Sequence, residues 1–223
     1  MLYILSCPID VISAYNTQLE KQIVEELSEN FIANPQKVEP SLILVGGFQG
    51  SGKSSLVERI KNAFELNVIS TDSIRQSLIN KGLEVSPEFL KYVNNISRTL
   101  IIRSLNFTNT IIDANAHSKR IQEIEKLFES ENFEHRPIKI FLKTSVEVLR
   151  NRVKNRQSAR DCYQGTENDL EASLVNSRIN FEDYDLIVDT DKISKDEVYK
   201  LVENFLLHHT ALETSKTTTT MTL

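Results

Sequence analysis

Cysteine is scarce in this chain, positive charge is outnumbered, and no apolar run is long. The two cysteines, Cys7 and Cys162, stand far apart in no metal-ligand spacing, which excludes a disulfide framework and a zinc site built on cysteine pairs. A reducing, cytoplasmic compartment is the expectation. The opening Met1-Leu2-Tyr3-Ile4-Leu5 is apolar but stops after five residues, lacks a basic leader and runs into Pro8. It is too short for a signal peptide or a spanning helix, so no membrane partner is expected. Ile4-Leu5-Ser6-Cys7 only loosely resembles a lipoprotein cleavage site and stands too near the start to serve as one. The formal charge of -5 and pI of about 5.5 exclude the broadly basic surface with which proteins hold long duplex nucleic acid. Local charge still suffices for a short strand or a small anion.

With 223 residues the chain accommodates one α/β domain with a full core and falls short of two. No repeat of 20–50 residues is present. Ile12, Tyr15, Leu19, Ile23, Leu27 and Phe31 recur every three or four positions with Glu20, Glu25, Glu26 and Glu29 between them, the pattern of an amphipathic helix with Asp10 as its N-cap. Pro35 and Pro40 separate it from the rest of the chain, so residues 1–40 read as a helix and linker, packed on the main domain or docking a protein partner. From residue 41 the pattern changes. Leu42–Val45, Val68–Ser70, Thr110–Asp113, Ile138–Leu142 and Leu186–Val188 are short, branched and apolar without alternation, as buried strands are. Helical stretches at 53–64, 73–81, 87–105, 118–130, 145–158, 167–178 and 194–208 lie between and after them. Alternation of this kind predicts a parallel sheet covered on both faces, over a domain spanning 41–210. The tail 211–223 is rich in threonine with little to bury, and disorder is the expectation.

Gly47-Phe48-Gln49-Gly50-Ser51-Gly52-Lys53-Ser54 fits Gly-x-x-x-x-Gly-Lys-Ser/Thr between a strand and a helix. Glycines let successive backbone N–H groups turn inward as an anion-binding nest, and the following helix adds the partial positive charge of its N-terminus. Lys53 then reaches the β- and γ-phosphates of ATP, the Ser54 hydroxyl suits Mg2+, and Ser55 is spare by this count. The loop alone does not fix the reaction. No Asn-Lys-x-Asp guanine-reading motif occurs, since Asn80-Lys81-Gly82-Leu83 lacks the aspartate, and no Leu-Ser-Gly-Gly-Gln transporter signature is present.

Three further groups narrow the chemistry. Asp72 and Arg75 follow the second strand, at the carboxyl edge where open α/β sheets bind ligands. Three residues apart on a helix, they suit a carboxylate that takes a hydroxyl proton and a guanidinium that grips a substrate anion. The plainer alternative makes Asp72 a helix cap paired with Arg75. Asp113 ends the Thr110–Asp113 strand, where a carboxylate orients magnesium through water, unless it serves only a turn. His117 just beyond it reads as a loop histidine. Arg150, Arg152, Lys154, Arg156 and Arg160 concentrate positive charge in a negative chain. Arg152 and Arg156 flank the buried face set by Val146, Leu149 and Val153, so they are the candidates to stabilise charge on a transferring phosphoryl group. A solvated basic face is the alternative. The polar run Gln157–Gly165 has the composition of a mobile lid.

From Leu42 to Leu206 the chain resembles P-loop kinases related to polynucleotide 5′-hydroxyl kinase and, more distantly, zeta toxins. The resemblance rests on the Gly47–Ser54 loop, Asp72-x-x-Arg75, Ile112-Asp113-Ala114-Asn115, Arg152-x-x-x-Arg156 and Tyr184-Asp185-Leu186-Ile187-Val188-Asp189. It implies a five-stranded parallel sheet in the order 2-3-1-4-5, ATP with Mg2+, Asp72 as general base, Arg75 on the substrate and Arg152 with Arg156 in the lid. Asp189-Thr190-Asp191 would border the adenine. Gln49 stands where this loop commonly carries proline. The expectation is a kinase acting on a hydroxyl of a nucleotide, a nucleic-acid 5′ end or a nucleotide sugar. Two alternatives stay open: an ATP-binding switch acting through a protein partner, and a toxin- or effector-type kinase whose threonine-rich tail resembles a secretion signal.

Overall fold

The computed structural model describes residues 9–33, 40–114, 117–155 and 165–209. The side chains of residues 9–16 and 87 fall outside that description, as do Cys7, Asn115, Arg156, Arg160, Cys162 and the tail. Five strands form one sheet: β1 (Leu42–Gly46), β2 (Asn67–Ser70), β3 (Thr110–Asp113), β4 (Ile138–Lys143) and β5 (Leu186–Asp189). Their order is β2-β3-β1-β4-β5, and every neighbouring pair is parallel. This is the topology of a P-loop nucleotide-binding fold, with β1 central: the chain passes over β3 between β1 and β2, and over β1 between β3 and β4.

Strand residues alternate between two buried layers, because helices cover both sheet faces everywhere but at Ile187 on the edge strand β5. On one side Ile43, Val45, Ile111, Ile140 and Leu142 pack under α2 (Lys53–Ala63) and α8 (Lys195–His209). On the other, Leu42, Leu44, Ile112 and Phe141 pack under α3 (Thr71–Asn80), α4 (Pro87–Leu105) and α5 (Ser118–Ser130). The remaining pair, α6 (Val146–Lys154) and α7 (Glu167–Asn176), meets through Leu149, Val153 and Leu170. Phe48 touches both that small cluster and the larger core.

The first helix, α1 (Ile9–Ser28), buries Leu19, Ile23 and Val24 in the core beside α4 and α3. Full burial of such side chains contributes about 1.5–3 kcal/mol each. Its polar flank is tied down as well. Glu25 accepts from Arg103 at 2.8 Å, Glu20 accepts from Asn95 at 3.0 Å, and Glu26 pairs with Lys81. Beyond the helix, buried Asn67 accepts from the Ile32 N–H at 2.7 Å and donates to Ser104 Oγ at 2.9 Å. Of the apolar face that sequence offered to either core or partner, Leu19, Ile23, Leu27 and Phe31 pack within the chain.

Several boundaries differ from the sequence expectation: α6 ends at Lys154 instead of running to 158, and α7 ends at Asn176 instead of 178. The first helix already includes Ile9, so Asp10 sits within its first turn instead of capping it. Ser70 caps α3 by accepting from the Ser73 N–H, and the helix therefore begins two residues early, at Thr71. Among the described residues no helix is long and apolar enough to cross a membrane.

Candidate active site

The register of three strands assembles the site. Asp113 is the partner of both Val45 and Ser70, so the end of β1, the end of β3 and the start of α3 lie side by side at the carboxyl edge. Thr71 Oγ1 donates to the Asp113 carbonyl at 3.3 Å and fixes the junction. The cradle, Asp113 and the Asp72–Arg75 pair thus share one edge although 66 positions separate Gly47 from Asp113.

The loop from Gly47 to Gly52 turns through positive φ at 146°, 86° and 100° for Gly47, Gly50 and Gly52. At Gly47 a Cβ would fall 2.6 Å from Ser51 Oγ and 2.9 Å from the Leu142 carbonyl, so no larger residue fits there. Gly52 opens α2 in the left-handed region without a side-chain cap, and no acidic residue occupies the first turn. The N–H groups at that helix end are therefore available to an anion. Ser51 Oγ is buried without a partner. A cradle that no side chain can fill, an uncapped helix end and an orphaned hydroxyl all fit a bound phosphate chain. Lys53 Nζ lies 3.1 Å from the Phe48 carbonyl, folded across the mouth of the loop.

Asp72 and Arg75 form an ion pair at 2.7 Å, with side chains 46% and 25% exposed. Ser70 supplies the cap, so of the plain alternative for Asp72 the capping role falls and the ion pair with Arg75 stands. Ser54 stands in the first turn of α2 and Asp113 at the strand end, both oxygen donors of the type magnesium takes. Among the described residues no group of three or more His, Cys, Asp or Glu converges on one point.

Arg152 reaches from α6 to the cradle. Its guanidinium donates to the Gly50 carbonyl at 3.2 Å and to the Thr190 carbonyl at 3.3 Å. Thr190 in turn is held to the end of β4 by its N–H on the Lys143 carbonyl and by its hydroxyl on Thr144 Oγ1 at 2.7 Å. Arg150, by contrast, turns away to Glu171 in a two-pronged pair at 2.6 and 2.8 Å. Arg156 and the run from Gln157 to Gln164 lie outside the described residues.

One residue escaped the sequence reading. Arg120, in the first turn of α5, is 9% exposed and donates to Ser97 Oγ at 2.7 Å and Asn94 Oδ1 at 3.1 Å on α4. Glu123 is its carboxylate neighbour at 3.5 Å. Burial pulls its basicity down, and the charge of Arg75 adds to that effect. Arg120 thereby braces α4 against α5 behind the Asp72–Arg75 pair. The signal was present: position 120 shares the period of Ile124 and Leu127.

His117 precedes α5 and, with Gly47, Phe48, Phe141 and Ser177, lines a void of about 10 Å³, room for a single water. Burial depresses its pKa, against the opposing pull of Glu123. A larger depression of about 520 Å³ between α6 and α7 is lined by Glu147, Arg150, Lys154 and Glu171. Neither space includes Lys53 or Asp72, as expected where anions are held by a backbone nest.

A family model described as an AAA domain matches residues 42–176. Among solved structures, an APS kinase from Mycobacterium tuberculosis in complex with AMPPNP and APS is 17% identical, with a TM-score of 0.56, covering 76% of this chain and 98% of that one. A gluconokinase from Sinorhizobium meliloti is 20% identical, with a TM-score of 0.52 and coverage of 77% and 99%. A sugar kinase from Janibacter sp. is 14% identical, with a TM-score of 0.55 and coverage of 75% and 95%. At these identities the likeness is one of fold. No curated protein sequence matches the chain.

Proposed function

The chain belongs to the AAA domain family that matches it over residues 42–176, and from that premise we propose an ATP-dependent kinase that phosphorylates a hydroxyl group. The acceptor class is a nucleotide, a nucleic-acid 5′ end or a nucleotide sugar, in keeping with the resemblance to polynucleotide kinase and zeta toxin. The observation that carries this reading is the Asp72–Arg75 pair on the same sheet edge as the cradle. An ATP-driven switch needs the cradle but has no use for a carboxylate and guanidinium beside it.

In this reading the acceptor oxygen attacks the γ-phosphorus, the bond from that phosphorus to the β-phosphate oxygen breaks, and ADP leaves. Asp72 takes the hydroxyl proton, and Arg75 orients that carboxylate and attracts an anionic group of the acceptor by its charge. Lys53 leaves the Phe48 carbonyl for the phosphates. Arg152, which donates to the Gly50 and Thr190 carbonyls beside the cradle, stabilises negative charge on the transferring group. Ser54 and Asp113 would hold Mg2+, which supplies charge neutralisation at the β- and γ-oxygens when bound.

The test is a screen of labelled ATP against oligonucleotides, nucleosides and nucleotide sugars with the full chain. Transfer to at least one class that disappears in Lys53→Ala supports the reading. ATP hydrolysis with no transfer to any class would favour a switch.

A further inference from the structure

Arg120 is the most deeply buried of the ion-paired arginines among the described residues, yet its pair is the longest that any of them makes. Its side chain is 11% exposed, and its carboxylate neighbour Glu123 stands 3.5 Å away. The far more exposed Arg59, Arg103 and Arg150 meet carboxylates at 2.7, 2.8 and 2.6 Å. The other acceptors of Arg120, Asn94 Oδ1 and Ser97 Oγ, carry no charge. Taking a guanidinium out of water is expensive, and close pairing is what offsets the cost. Bracing α4 against α5 accounts for the hydrogen bonds. It leaves the poorly matched charge without an account, since an apolar side chain of similar volume would pack there at less cost.

The place of Arg120 in the fold identifies what that charge serves. Asp113 and Ser70 are register partners, α3 begins at Thr71 directly after Ser70, and α5 begins at Ser118 a short loop after Asp113. Arg75 on α3 and Arg120 on α5 therefore stand on helices that leave neighbouring strand ends of the carboxyl edge. Asn94 and Ser97 hold Arg120 from α4, which itself packs on α3. The two guanidiniums are near enough to oppose each other: burial lowers the Arg120 pKa most, Glu123 pulls the other way, and Arg75 lowers it further. No acidic residue lies in the first turn of α5 to add to Glu123. In a chain of net charge -5 this corner is locally positive, and an anion relieves it.

We propose that Arg120 is a positioning residue for the acceptor, its buried charge acting behind Arg75 to draw an anionic acceptor onto Asp72, with Glu123 setting how much of that charge is felt. This rests on the kinase reading of the site and adds a residue to it. The charge of Arg75 is closely matched by Asp72 at 2.7 Å, so the excess at this corner belongs to Arg120. Water screens a buried charge less than an exposed one, so Arg120 acts without touching the acceptor.

The experiment is steady-state transfer from labelled ATP by the full chain as wild type, Glu123→Gln, Arg120→Met and Arg120→Lys. The acceptors are a 5′-hydroxyl oligonucleotide and a nucleotide sugar, both anionic, set against an uncharged nucleoside. Glu123→Gln removes a carboxylate that is 39% exposed, so folding should survive, and the KM for the anionic acceptors should fall about twofold or more. Arg120→Met should raise the same KM about fivefold or more. Arg120→Lys keeps the charge without the forked hydrogen bonds and should raise it less than about twofold. The KM for ATP and for the nucleoside should stay within about twofold throughout. Glu123→Gln decides the matter should Arg120→Met fail to fold. An unchanged or raised KM in Glu123→Gln, equal losses in Arg120→Met and Arg120→Lys, or transfer to the nucleoside alone would overturn the inference while leaving the kinase reading intact. Transfer from ATP to none of these acceptors overturns that reading as well.

Discussion

Replacing Asp72 with asparagine separates chemistry from folding, because the structure bounds what the substitution costs in stability. Ser70 caps α3, so the cap survives. What is lost is an ion pair at 2.7 Å between side chains 46% and 25% exposed, worth at most about 1 kcal/mol, plus a few tenths from a carboxylate in the first helical turn. For a domain of this size that lowers the melting temperature by no more than about 5 °C. Asparagine is nearly isosteric but cannot accept the acceptor's proton, and loss of a positioned general base lowers transfer by about 100-fold or more, roughly 2.7 kcal/mol of barrier. The activity loss should therefore exceed the stability loss by about twofold or more in free energy. ATP affinity should stay within about twofold, since Asp72 is outside the cradle. The assays are thermal denaturation, calorimetric ATP binding and labelled transfer to the best acceptor of the screen. Transfer at the wild-type rate by a folded Asp72→Asn protein would refute the general-base assignment.

Other perturbations address the rest of the site. Lys53→Ala should abolish measurable ATP binding, and unchanged affinity for ATP would overturn the cradle assignment. Arg152→Ala should lower kcat by about 10- to 100-fold with the ATP KM altered less than about threefold; a loss confined to KM would mean that Arg152 only braces Gly50 and Thr190. Arg120→Ala leaves Ser97 without its 2.7 Å donor and should destabilise by about 2–4 kcal/mol in urea denaturation, where a change under about 0.5 kcal/mol would show that α4 and α5 need no such brace. Burial depresses the His117 pKa below its ordinary value, so the unfolded state binds the proton more readily. Stability from this group is full above about pH 6.5 and falls as acid titrates the unfolded imidazole. His117→Asn should flatten the stability curve just below about pH 6.5; an unaltered slope would contradict the burial.

The layered part of the fold was legible because its signals are local. Each strand is a short branched run, and α4 and α5 match the sequence boundaries because Ser86 caps the first and the apolar period of the second ends where its buried face does. The strand order came with the family resemblance and was not derivable from periodicity. Helix starts were less legible. Asp10 and Asp72 both look like caps, yet backbone helicity begins before each, and at α3 the serine two positions before Asp72 does the capping. In the site, Gly47 to Ser54 is contiguous and could be read directly. Arg120 was missed because a basic residue at a helix start reads as solvated unless its place on the buried period is noticed. The contacts of Arg152 with Gly50 and Thr190 span 102 and 38 positions, a separation that no local pattern encodes.

The burial of α1 bears on how the chain is made. Its partners Asn95 and Arg103 lie 75 and 78 residues downstream of Glu20 and Glu25. At about 5–20 residues per second the ribosome needs about 4–15 s to supply them. Through that interval a 20-residue helix of marginal intrinsic stability carries Leu19, Ile23 and Val24 with nothing to cover them. The nascent chain is thus open to chaperone capture from the moment α1 emerges. A synonymous-codon pause ahead of the α4 coding region would lengthen that window, whereas one placed after the whole of α4 has left the exit tunnel would not.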